Sequence, residues 1–567
     1  MSHIPAQRIT PGQKRNTPAD EGRRDFFAKI GVAAAAAAVG GMVIGAPAAA
    51  QERDAGAGSS LSRVQQSFEI RRDAALRERN IPSPPHPTNG DEARYLNKIG
   101  NYSKGLPHNA IGEVDAAAYQ SLLHALSTAA PDDFENITMG GTVPLVNPQS
   151  GFAFDLEGTD CHQLAIPPAP ALASAQRAGE AVENYWMALL RDVNFTDYAS
   201  DPLVTAACAE LSKLSQFVGP KVNGKVTPAT LFRGFTPGDL AGPYMSQFLL
   251  KTVEFGAVTV PQFYNCYLPL NAGGQDYLID AASWHAAMNG AGPFGKNILD
   301  STPRHMRNGR DLSAYVHIDV LFEAYFIACL WLADNHAPLN PGNPYANKSR
   351  NQVGFGTFGF PHLKALLAEV ATRALKAVWH QKWSVHRALR PEEFGGRVHY
   401  TKTGAANYPL HHEILASDAV SRVFARNGTY FLPHAFPEGC PQHPAYGAGH
   451  ATVAGACATI VKAFFDDRVP LASLTQIEQP SDDGLSLVPY AGADAGQITV
   501  GGEMNKIAAN VAIGRNHAGV HWRSDYQESL LLGEKVAISI LSDQRATYNE
   551  KFDGFTFTKF DGTRITV

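Results

Sequence analysis

Residues 441–466 read PQHPAYGAGHATVAGACATIVKAFFD, a glycine-rich turn that runs directly into a stretch of alanine and valine. The stretch is apolar on all sides, which is typical of an inner helix of a helical bundle. We therefore predict a buried helix over 451–466. The turn before it presents backbone N–H groups at the helix N-terminus, where an anion can bind. His450 lies at the mouth of this turn, either as part of that anion site or as a simple helix cap.

Other parts of the chain also carry helical periodicity, at 171–191, 312–334, 361–389 and 524–541. The last of these opens with Ser524 and Gln527, the spacing of a capping box. Between 481 and 501 the chain is rich in Gly and Asp, and 497–500 reads as a short strand. The C-terminal residues 555–567 predict a β-hairpin. We expect an all-α protein with minor β-hairpins.

Composition limits the function classes. The chain has 567 residues, of which 44% are hydrophobic and 18% charged, so we expect a globular protein. The formal net charge of −5 gives no reason to expect nucleic acid as a partner. After the N-terminal region the sequence has no long apolar run, so we do not expect a polytopic membrane protein.

Residues 1–50 resemble an export signal. Arg23 and Arg24 precede a soft apolar run over 30–43, and a small-residue segment follows at 46–50. This is the order of the charged, apolar and cleavage regions of a signal peptide. The paired arginines resemble a twin-arginine signal. We expect cleavage after Ala50 and export to the periplasm or beyond, with no membrane attachment afterwards; an uncleaved anchor is the alternative.

We divide the remaining chain into two regions: 51–170 is predicted to be an N-terminal wrapping extension, and 171–567 a helical-bundle catalytic domain. The six cysteines show no metal-finger spacing. Cys329 and Cys457 lie in apolar stretches and predict core residues. Three others lie in loop-like sequence and could pair in an oxidising compartment, in a combination that the sequence leaves open: Cys161, Cys266 and Cys440.

Two cationic side chains flank the end of the third helical stretch. Lys382 and Arg390 are eight residues apart, so both can project from one side of the last helical turns. Pro391 ends that helix at or before Arg390. Stabilisation of the helix dipole by cations at a helix C-terminus is the alternative interpretation.

A third segment, 514–525, adds a cation and a histidine. Arg515 and His521 are six residues apart, and Gly519 between them permits a bend that brings both to one point. Asp525 lies four residues after His521 and can accept a hydrogen bond from its second ring nitrogen. The three segments together combine two arginines, one lysine, two histidines and a glycine-lined helix N-terminus. This combination predicts a cage for a tetrahedral oxyanion.

The set resembles the vanadium-dependent haloperoxidases and the acid phosphatases related to them. The pattern of these proteins is Lys-x(6–7)-Arg-Pro, then Pro-Ser-Gly-His, then Arg-x(5)-His. The corresponding residues here are Lys382, Arg390, Pro391, Ala448, Gly449, His450, Arg515 and His521. The stretches 354–397 and 433–466 also look like the algal bromoperoxidases. The resemblance implies an all-α fold with two four-helix bundles.

The resemblance also implies a cofactor and a reaction. One vanadate per subunit would be bound through His521, with its oxygens held by Lys382, Arg390, Arg515 and the Gly449 amide. His450 would be the acid–base group. Hydrogen peroxide, a halide and a small organic acceptor would be the substrates. The same likeness suggests a homo-oligomer, and a calcium site whose ligands we do not map.

Three positions modify this expectation. Ala448 stands where the family pattern has serine, so one hydroxyl donor to vanadate is missing. His443 matches the histidine of the algal bromoperoxidases, whereas Trp379 matches the tryptophan of the fungal chloroperoxidases. We expect oxidation of bromide and iodide, with chloride left open. Core packing for Trp379 and a plain loop histidine at position 443 are the alternatives.

Two other functions use the same residues. An exported acid phosphatase would use His521 as the nucleophile on phosphorus. Phosphatases of this superfamily are commonly much shorter than this chain, which favours the haloperoxidase. An oxyanion-binding protein without turnover is the second alternative. The position of His450 argues against it, because binding alone requires no acid–base group.

Overall fold

A computed structural model describes residues 61–346 and 349–567. The predicted export signal at 1–50 lies outside the described residues. Contacts divide the chain into two units, 1–73 and 74–567. The described part of the first unit holds the start of helix α1, Arg63–Asn80, none of whose side chains is buried. The predicted boundary near residue 170 is untested and stays a prediction.

The second unit is mainly helical. Its first helices are α2 (Asp91–Arg94), α3 (Ala116–Thr128), α4 (Pro131–Glu135), α5 (Ala175–Leu189), α6 (Pro202–Lys213), α7 (Ala281–Met288), α8 (Gly309–Ile318) and α9 (Glu323–Asp334). The later helices are α10 (Phe360–Trp379), α11 (Pro391–Lys402), α12 (His412–Leu415), α13 (Asp418–Asn427), α14 (Gly449–Phe464), α15 (Val500–His517) and α16 (Arg523–Arg545).

Three small antiparallel hairpins complete the fold. They pair β1 (Val253–Phe255) with β2 (Val258–Val260), β3 (Glu478–Pro480) with β4 (Leu487–Pro489), and β5 (Thr556–Thr558) with β6 (Arg564–Thr566). The last pair confirms the predicted C-terminal hairpin, with Phe557 opposite Ile565. The prediction of an all-α protein with minor hairpins is confirmed.

Helix α14 lies at the centre of the bundle and packs against α10, α15 and α16. Every side chain of α14 is buried except that of His450, which is half-buried. Glycines let α14 and α16 approach closely: a Cβ at Gly455 would lie 2.1 Å from the Leu530 carbonyl oxygen, and one at Gly533 would lie 2.0 Å from that of Thr452. The predicted inner helix is confirmed.

The predicted helix over 312–334 is wrong as a single element. It is broken into α8 and α9, which meet at an angle of 100°. The backbone leaves the helical region at Asp319, with φ −58° and ψ 147°. No proline or glycine lies between the two helices, so the sequence carries no local sign of the break. Tertiary packing overrides the helical periodicity here.

The predicted helix over 361–389 is also interrupted. Helix α10 ends at Trp379 and continues as a π-helix over His380–His386. Arg387 then adopts a left-handed conformation with φ +39°. Arg390 caps the next helix, α11, and Pro391 occupies its first turn, where a missing N–H does not matter. Our prediction that Lys382 and Arg390 share the side of one helix is therefore wrong.

Two local predictions near α15 and α16 are wrong. Residues 497–500 form no strand, because α15 begins at Val500 and Thr499 Oγ1 caps it by accepting from Gly502 N at 3.0 Å. Helix α16 begins one residue before Ser524, so no Ser524–Gln527 capping box forms. Asp525 instead accepts from the backbone N–H of Trp522 at 3.0 Å.

All six cysteines lie in the described part of the chain, and all are free and buried. Cys329 and Cys457 are in the main core, as predicted. Cys161, Cys266 and Cys440, whose pairing the sequence leaves open, therefore form no disulfide.

Within residues 61–346 and 349–567 no single helix has the length and apolarity of a membrane span, and only the bent pair of α8 and α9 meets that test jointly.

Candidate active site

Lys382 is fully buried in the π-helix after α10. Its ammonium donates to the carbonyl oxygens of Pro444 and Ala445, at 2.7 and 2.9 Å. These carbonyls belong to the glycine-rich turn before α14, so the lysine joins the π-helix to that turn. Burial, with the charge of Arg390 adding to it, holds the pKa of Lys382 well below its ordinary value.

Arg390 contacts both of the other predicted segments, the turn before α14 and the segment 514–525. Its Nε donates to the His443 carbonyl oxygen at 2.8 Å, and its Nη1 donates to the Val520 carbonyl oxygen at 2.7 Å. The same Nη1 lies 3.0 Å from His521 Nε2, and Nη2 lies 2.8 Å from His443 Nδ1. Because a guanidinium only donates, both imidazoles accept from it.

Arg515 is the third cation and extends from the last turn of α15. Its Nη1 donates to the Val316 carbonyl oxygen at 2.7 Å, and its guanidinium lies 5.3 Å from the centre of the Phe436 ring. Its Nε is buried and has no hydrogen-bond partner among the described residues. Burial lowers the pKa of Arg515 to about 10.

These three cations share one feature that decides the chemistry of the site. Their protein partners are carbonyl oxygens and imidazole nitrogens, and within the described chain none of them forms an ion pair with a carboxylate within 4.0 Å. Burying charges without counter-charges is costly. A bound anion would remove that cost, so the arrangement is suited to an oxyanion.

His521 lies between the cations and an acidic partner. Its Nδ1 lies 2.7 Å from Asp525 Oδ2, and both side chains are buried. Burial, with Arg390, Lys382 and Arg515 adding to it, holds the pKa of His521 well below its ordinary value, so the ring is neutral. Nδ1 therefore carries the proton that Asp525 accepts, and the lone pair of Nε2 faces Arg390.

The backbone at the start of α14 completes the cage. Gly449 is the first helical residue, and a Cβ there would lie 3.1 Å from the Trp379 ring. The neighbouring Ala448 N–H donates to Ser529 Oγ at 2.8 Å. The Ala448 amide is therefore already hydrogen-bonded to Ser529, and this bond holds the turn in place. The first N–H groups of a helix have no partner within the helix, which leaves the Gly449 amide for an anion.

His450 follows at the same helix start, and its Nε2 lies 2.9 Å from Asp319 Oδ1. Burial lowers the pKa of His450, an effect partly offset by the Asp319 carboxylate. A neutral ring that donates from Nε2 to this carboxylate keeps its lone pair on Nδ1. His450 is thereby prepared to accept a proton.

His443 and Trp379 form one wall of the site. Their ring centroids are 4.8 Å apart with the planes tilted by 38°. Trp379 is half-buried, and its Nε1 donates to the Val146 carbonyl oxygen at 3.0 Å. Since Arg390 donates to His443 Nδ1, the proton of the neutral His443 ring is on Nε2. Trp379 packs against the core, but it also borders Gly449, so both of its predicted roles are compatible with the structure.

The structure brings all of the predicted site residues into one region. Two further residues belong to it that sequence reasoning missed: Asp319 and Ser529. Asp319 lies at the break between α8 and α9, more than 100 positions before His450, and no spacing connects the two. Ser529 lies four residues after Asp525, one helical turn further along α16, and that i+4 spacing is the only signal that could have found it.

The expected calcium site stays unmapped. Among the described residues, one group of three histidine, cysteine or acidic side chains has ligand atoms within 4.8 Å of one another, namely Glu392, His434 and Cys440. Both carboxylate oxygens of Glu392 accept from the Lys104 ammonium at 2.9 Å. Calcium prefers several oxygen ligands, so this group, with its thiol and imidazole, does not suit it.

Comparison with known proteins places the chain in one family. Residues 362–550 match the family model described as the VCPO second helical-bundle domain. A vanadium-dependent bromoperoxidase from Corallina pilulifera is 34% identical over 602 aligned positions, which cover 89% of this chain and 98% of the relative. One from Ascophyllum nodosum is 35% identical, covering 82% of this chain and 86% of the relative.

A solved structure extends this likeness to the fold. The homohexameric second vanadate-dependent bromoperoxidase of Ascophyllum nodosum superposes with a TM-score of 0.84 at 30% sequence identity. The match covers 93% of this chain and 94% of the other. The predicted bundle fold is therefore confirmed over nearly the whole chain.

Proposed function

This chain belongs to the vanadium-dependent haloperoxidase family, and from that membership we propose that it uses vanadate to oxidise bromide and iodide with hydrogen peroxide. The products would be hypohalous acid equivalents that halogenate small organic acceptors. The single observation that carries the proposal is the group of three buried cations, Lys382, Arg390 and Arg515, which have no carboxylate partner within 4.0 Å among the described residues.

The residues present fit vanadate. The unpartnered Nε of Arg515, the first amide of α14 at Gly449 and the three positive charges suit an oxyanion with several oxygens. His521 offers a neutral Nε2, which is the form in which imidazole ligates a metal. Arg390 now donates to that nitrogen, so it would have to turn towards the anion when the anion binds.

Bound vanadate would supply Lewis-acid chemistry that makes hydrogen peroxide reactive towards a halide. The three cations would hold the anion and stabilise the negative charge that develops during the reaction. Asp525 would keep the proton of His521 on Nδ1 and so keep Nε2 available. In this proposal each charged side chain has one task.

The reaction, halide plus peroxide plus one proton giving hypohalous acid and water, requires a group that moves protons. His450 is half-buried and has its Nδ1 lone pair available, because Nε2 donates to Asp319. We assign to Nδ1 the acceptance of a proton from peroxide and its later return to the departing oxygen. Asp319 would orient the ring and stabilise its protonated form.

His443 and Trp379 would contact the halide side of the pocket. The Nε2–H of His443 is a donor that can bind a halide ion, whereas the Trp379 ring adds an apolar, polarisable surface. Polarisable surroundings favour the larger halides, which supports bromide and iodide as the substrates. Chloride is the outcome that would revise this assignment.

The acid phosphatase alternative would use the same cage. The relatives of this chain are bromoperoxidases over nearly their whole length, which favours the haloperoxidase over the phosphatase. The two functions are separable by experiment, because vanadate activates one and inhibits the other.

The first test is a vanadate titration of the metal-free mature protein with hydrogen peroxide, bromide and a dye that can be brominated. We expect activity that appears with vanadate and declines when phosphate competes. Iodide and chloride would then rank the halides. Hydrolysis of a phosphate ester that vanadate inhibits, with no activity on any halide, would instead establish the phosphatase.

The His450→Ala substitution tests the acid–base assignment. We expect turnover to fall by roughly 10²–10⁴-fold, with vanadate affinity nearly unchanged, because His450 makes none of the cation contacts. Vanadate binding followed by calorimetry, beside steady-state bromination, separates the two effects. Turnover close to that of the parent protein would contradict the assignment.

Assembly and location are further parts of the proposal. We propose that the mature chain forms a homo-oligomer, since the relative with the matching fold is a homohexamer. Light scattering after size-exclusion chromatography tests this, and a monomer would contradict it.

We also propose export through the twin-arginine signal. Replacing Arg23 and Arg24 by lysine should leave the precursor in the cytoplasm.

A further inference from the structure

A second cavity lies apart from the cations described above. It encloses about 290 Å³ and is lined by four segments, at 195–199, 228–245, 306–307 and 479–494. Its most buried lining residues include Met306, at 0% exposure, and Met245, at 1%. Pockets for small molecules have volumes of about 300–1,000 Å³. This cavity is at the lower end of that range, which suits a molecule with one ring.

This cavity is distinct from the oxyanion cage. Met306 and Arg307 precede α8, whereas Asp319, the partner of His450, follows it. A helix of ten residues, the length of α8, spans about 15 Å. The cavity and the acid–base pair therefore lie at opposite ends of this helix.

Aromatic rings form much of the cavity wall. The rings of Phe195 and Tyr244 are stacked at 3.7 Å with only 8° between their planes. Tyr198 meets both of them edge-on, at 5.5 and 6.2 Å, and Tyr490 lines the cavity from another segment. Phe195 is only half-buried, so part of its surface stays open. Flat aromatic walls favour a ligand that is itself a flat ring.

One buried cation lines the same cavity. Arg233 is 7% exposed, and its Nη2 donates to the Asp239 carbonyl oxygen at 2.5 Å. Its Nε is buried and has no partner among the described residues. The Asp239 carboxyl lies nearby, but burial raises its pKa to about 6, so it is a weak counter-charge in mildly acidic solution. A ligand carboxylate would complete the bonding of this guanidinium.

An acceptor with the opposite charge lines the cavity as well. Asp494 is half-buried and accepts from the Tyr490 hydroxyl at 2.8 Å and from the Gly242 N–H at 2.7 Å. An ionised carboxylate can accept further hydrogen bonds beyond these two. The cavity thus offers a cation for a carboxylate and a separate acceptor for a hydroxyl.

We propose that this cavity binds a small aromatic acid that carries a phenolic hydroxyl. The carboxylate would pair with Arg233, the ring would lie against Phe195 and Tyr490, and the hydroxyl would donate to Asp494. This assignment stands on its own and does not depend on the haloperoxidase function. It predicts one such site per chain, separate from the vanadate site.

Calorimetry of the full chain with 4-hydroxybenzoate tests the proposal, with and without saturating vanadate. We expect saturable binding of one molecule per chain that vanadate leaves unchanged. 4-Hydroxybenzyl alcohol, which lacks the carboxylate, and trans-4-hydroxycyclohexanecarboxylate, which keeps the carboxylate and the hydroxyl but lacks the aromatic ring, should each bind at least tenfold more weakly.

Two variants and one control locate the site. Arg233→Gln removes the cation, and Ala229→Trp fills the cavity from an exposed lining position. Each should weaken 4-hydroxybenzoate binding at least tenfold.

The control is Arg468→Gln, which alters an arginine outside the cavity whose side chain is 61% exposed. This variant should bind 4-hydroxybenzoate as tightly as the parent protein does.

Three results would overturn the proposal. The first is no saturable binding by the parent protein. The second is competition by vanadate, which would put the probe in the oxyanion cage. The third is binding that survives Ala229→Trp unchanged; this variant keeps the test decisive if Arg233→Gln does not fold.

Discussion

At the scale of single residues, Asp525 decides which nitrogen of His521 can bind a ligand. Its carboxylate accepts from His521 Nδ1 at 2.7 Å and is buried. We expect Asp525→Asn to lower vanadate affinity by about 10–100-fold, the usual effect of removing such a partner from a metal-ligating histidine. Equilibrium binding of vanadate would measure this.

Asp319→Asn provides the matched comparison for that variant. Asp319 contacts His450 and not His521, so its loss should reduce turnover while vanadate affinity stays within a few-fold of the parent. Equal losses of vanadate affinity in both variants would show that the two carboxylates are not assigned to separate histidines.

Ala448 is the residue at which a hydroxyl is missing. It caps α14 and is 1% exposed, beside the Gly449 amide. We expect Ala448→Ser to tighten vanadate binding roughly fivefold, since one neutral hydrogen bond contributes about 1 kcal/mol. Ala448→Cys has a similar volume but a weak donor and should change the affinity little. Equal affinity in all three proteins would mean that the added hydroxyl does not reach the anion.

The spacing of charged residues predicted most of this site, because the cage is carried by short segments. Arg515, Gly519, His521 and Asp525 lie within eleven positions, and Gly519 makes the expected bend with φ +84°. Asp319 was beyond prediction, since only the tertiary fold brings it to His450. The Ser529 hydroxyl carries one weak signal, its i+4 spacing from Asp525, but its acceptor role depends on how closely α14 and α16 pack.

At the scale of elements, the π-helix His380–His386 is the main departure from the predicted helices. Periodicity alone favours a continuous helix over this stretch, and nothing in the local sequence requires the wider turn. The interruption lets Lys382 reach the turn before α14 while Arg390 starts a new helix. π-Turns within helices are frequent at functional sites. This one contains Lys382, whereas Arg390 lies beyond it at the start of the next helix.

His386 ends that π-helix and makes its stability sensitive to pH. The side chain is 6% exposed, meets the Tyr446 ring edge-on at 4.9 Å, and has no partner for either ring nitrogen among the described residues. Burial, with His86, Arg387 and His380 adding to it, lowers the pKa of His386 to about 3. Between that value and the ordinary pKa of about 6.5, the unfolded chain binds a proton that the folded chain does not.

The free energy of unfolding therefore falls as the pH drops below about 6.5. At pH 5 the contribution of His386 to this loss is about 2 kcal/mol, from a difference of about 1.5 pH units. We expect His386→Phe to remove it, so the variant should gain about 2 kcal/mol relative to the parent at pH 5 compared with pH 8. Guanidinium denaturation at both values would measure this, and an equal effect at pH 5 and pH 8 would contradict it.

At the scale of the whole molecule, the buried cations couple folding to anion binding. Lys382, Arg390 and Arg515 each lie on a different part of the bundle, so a shared anion joins these parts. A ligand at 100 times its dissociation constant stabilises the folded state by about 2.7 kcal/mol. We expect vanadate to raise the melting temperature by a few degrees, and phosphate to do the same at higher concentration. Removing vanadate by dialysis should reverse the shift.

His521→Ala is the control for that measurement. It removes the proposed ligand and should reduce the response to vanadate to about the size of the response to phosphate, which needs only the cations. A melting temperature that saturating vanadate does not change in the parent protein would contradict the coupling.

The burial of the six thiols has a chemical consequence for a protein that generates an oxidant. Oxidation of cysteine requires thiolate character and access, and burial raises the pKa of Cys161 to about 12 and that of Cys208 to about 11. Five of the six described methionines are also buried: Met187, Met245, Met288, Met306 and Met504. Hypohalous acid leaving the cage would therefore meet few exposed sulfur atoms among the described residues. The same packing that stabilises the bundle would protect it from its own product and extend its working lifetime.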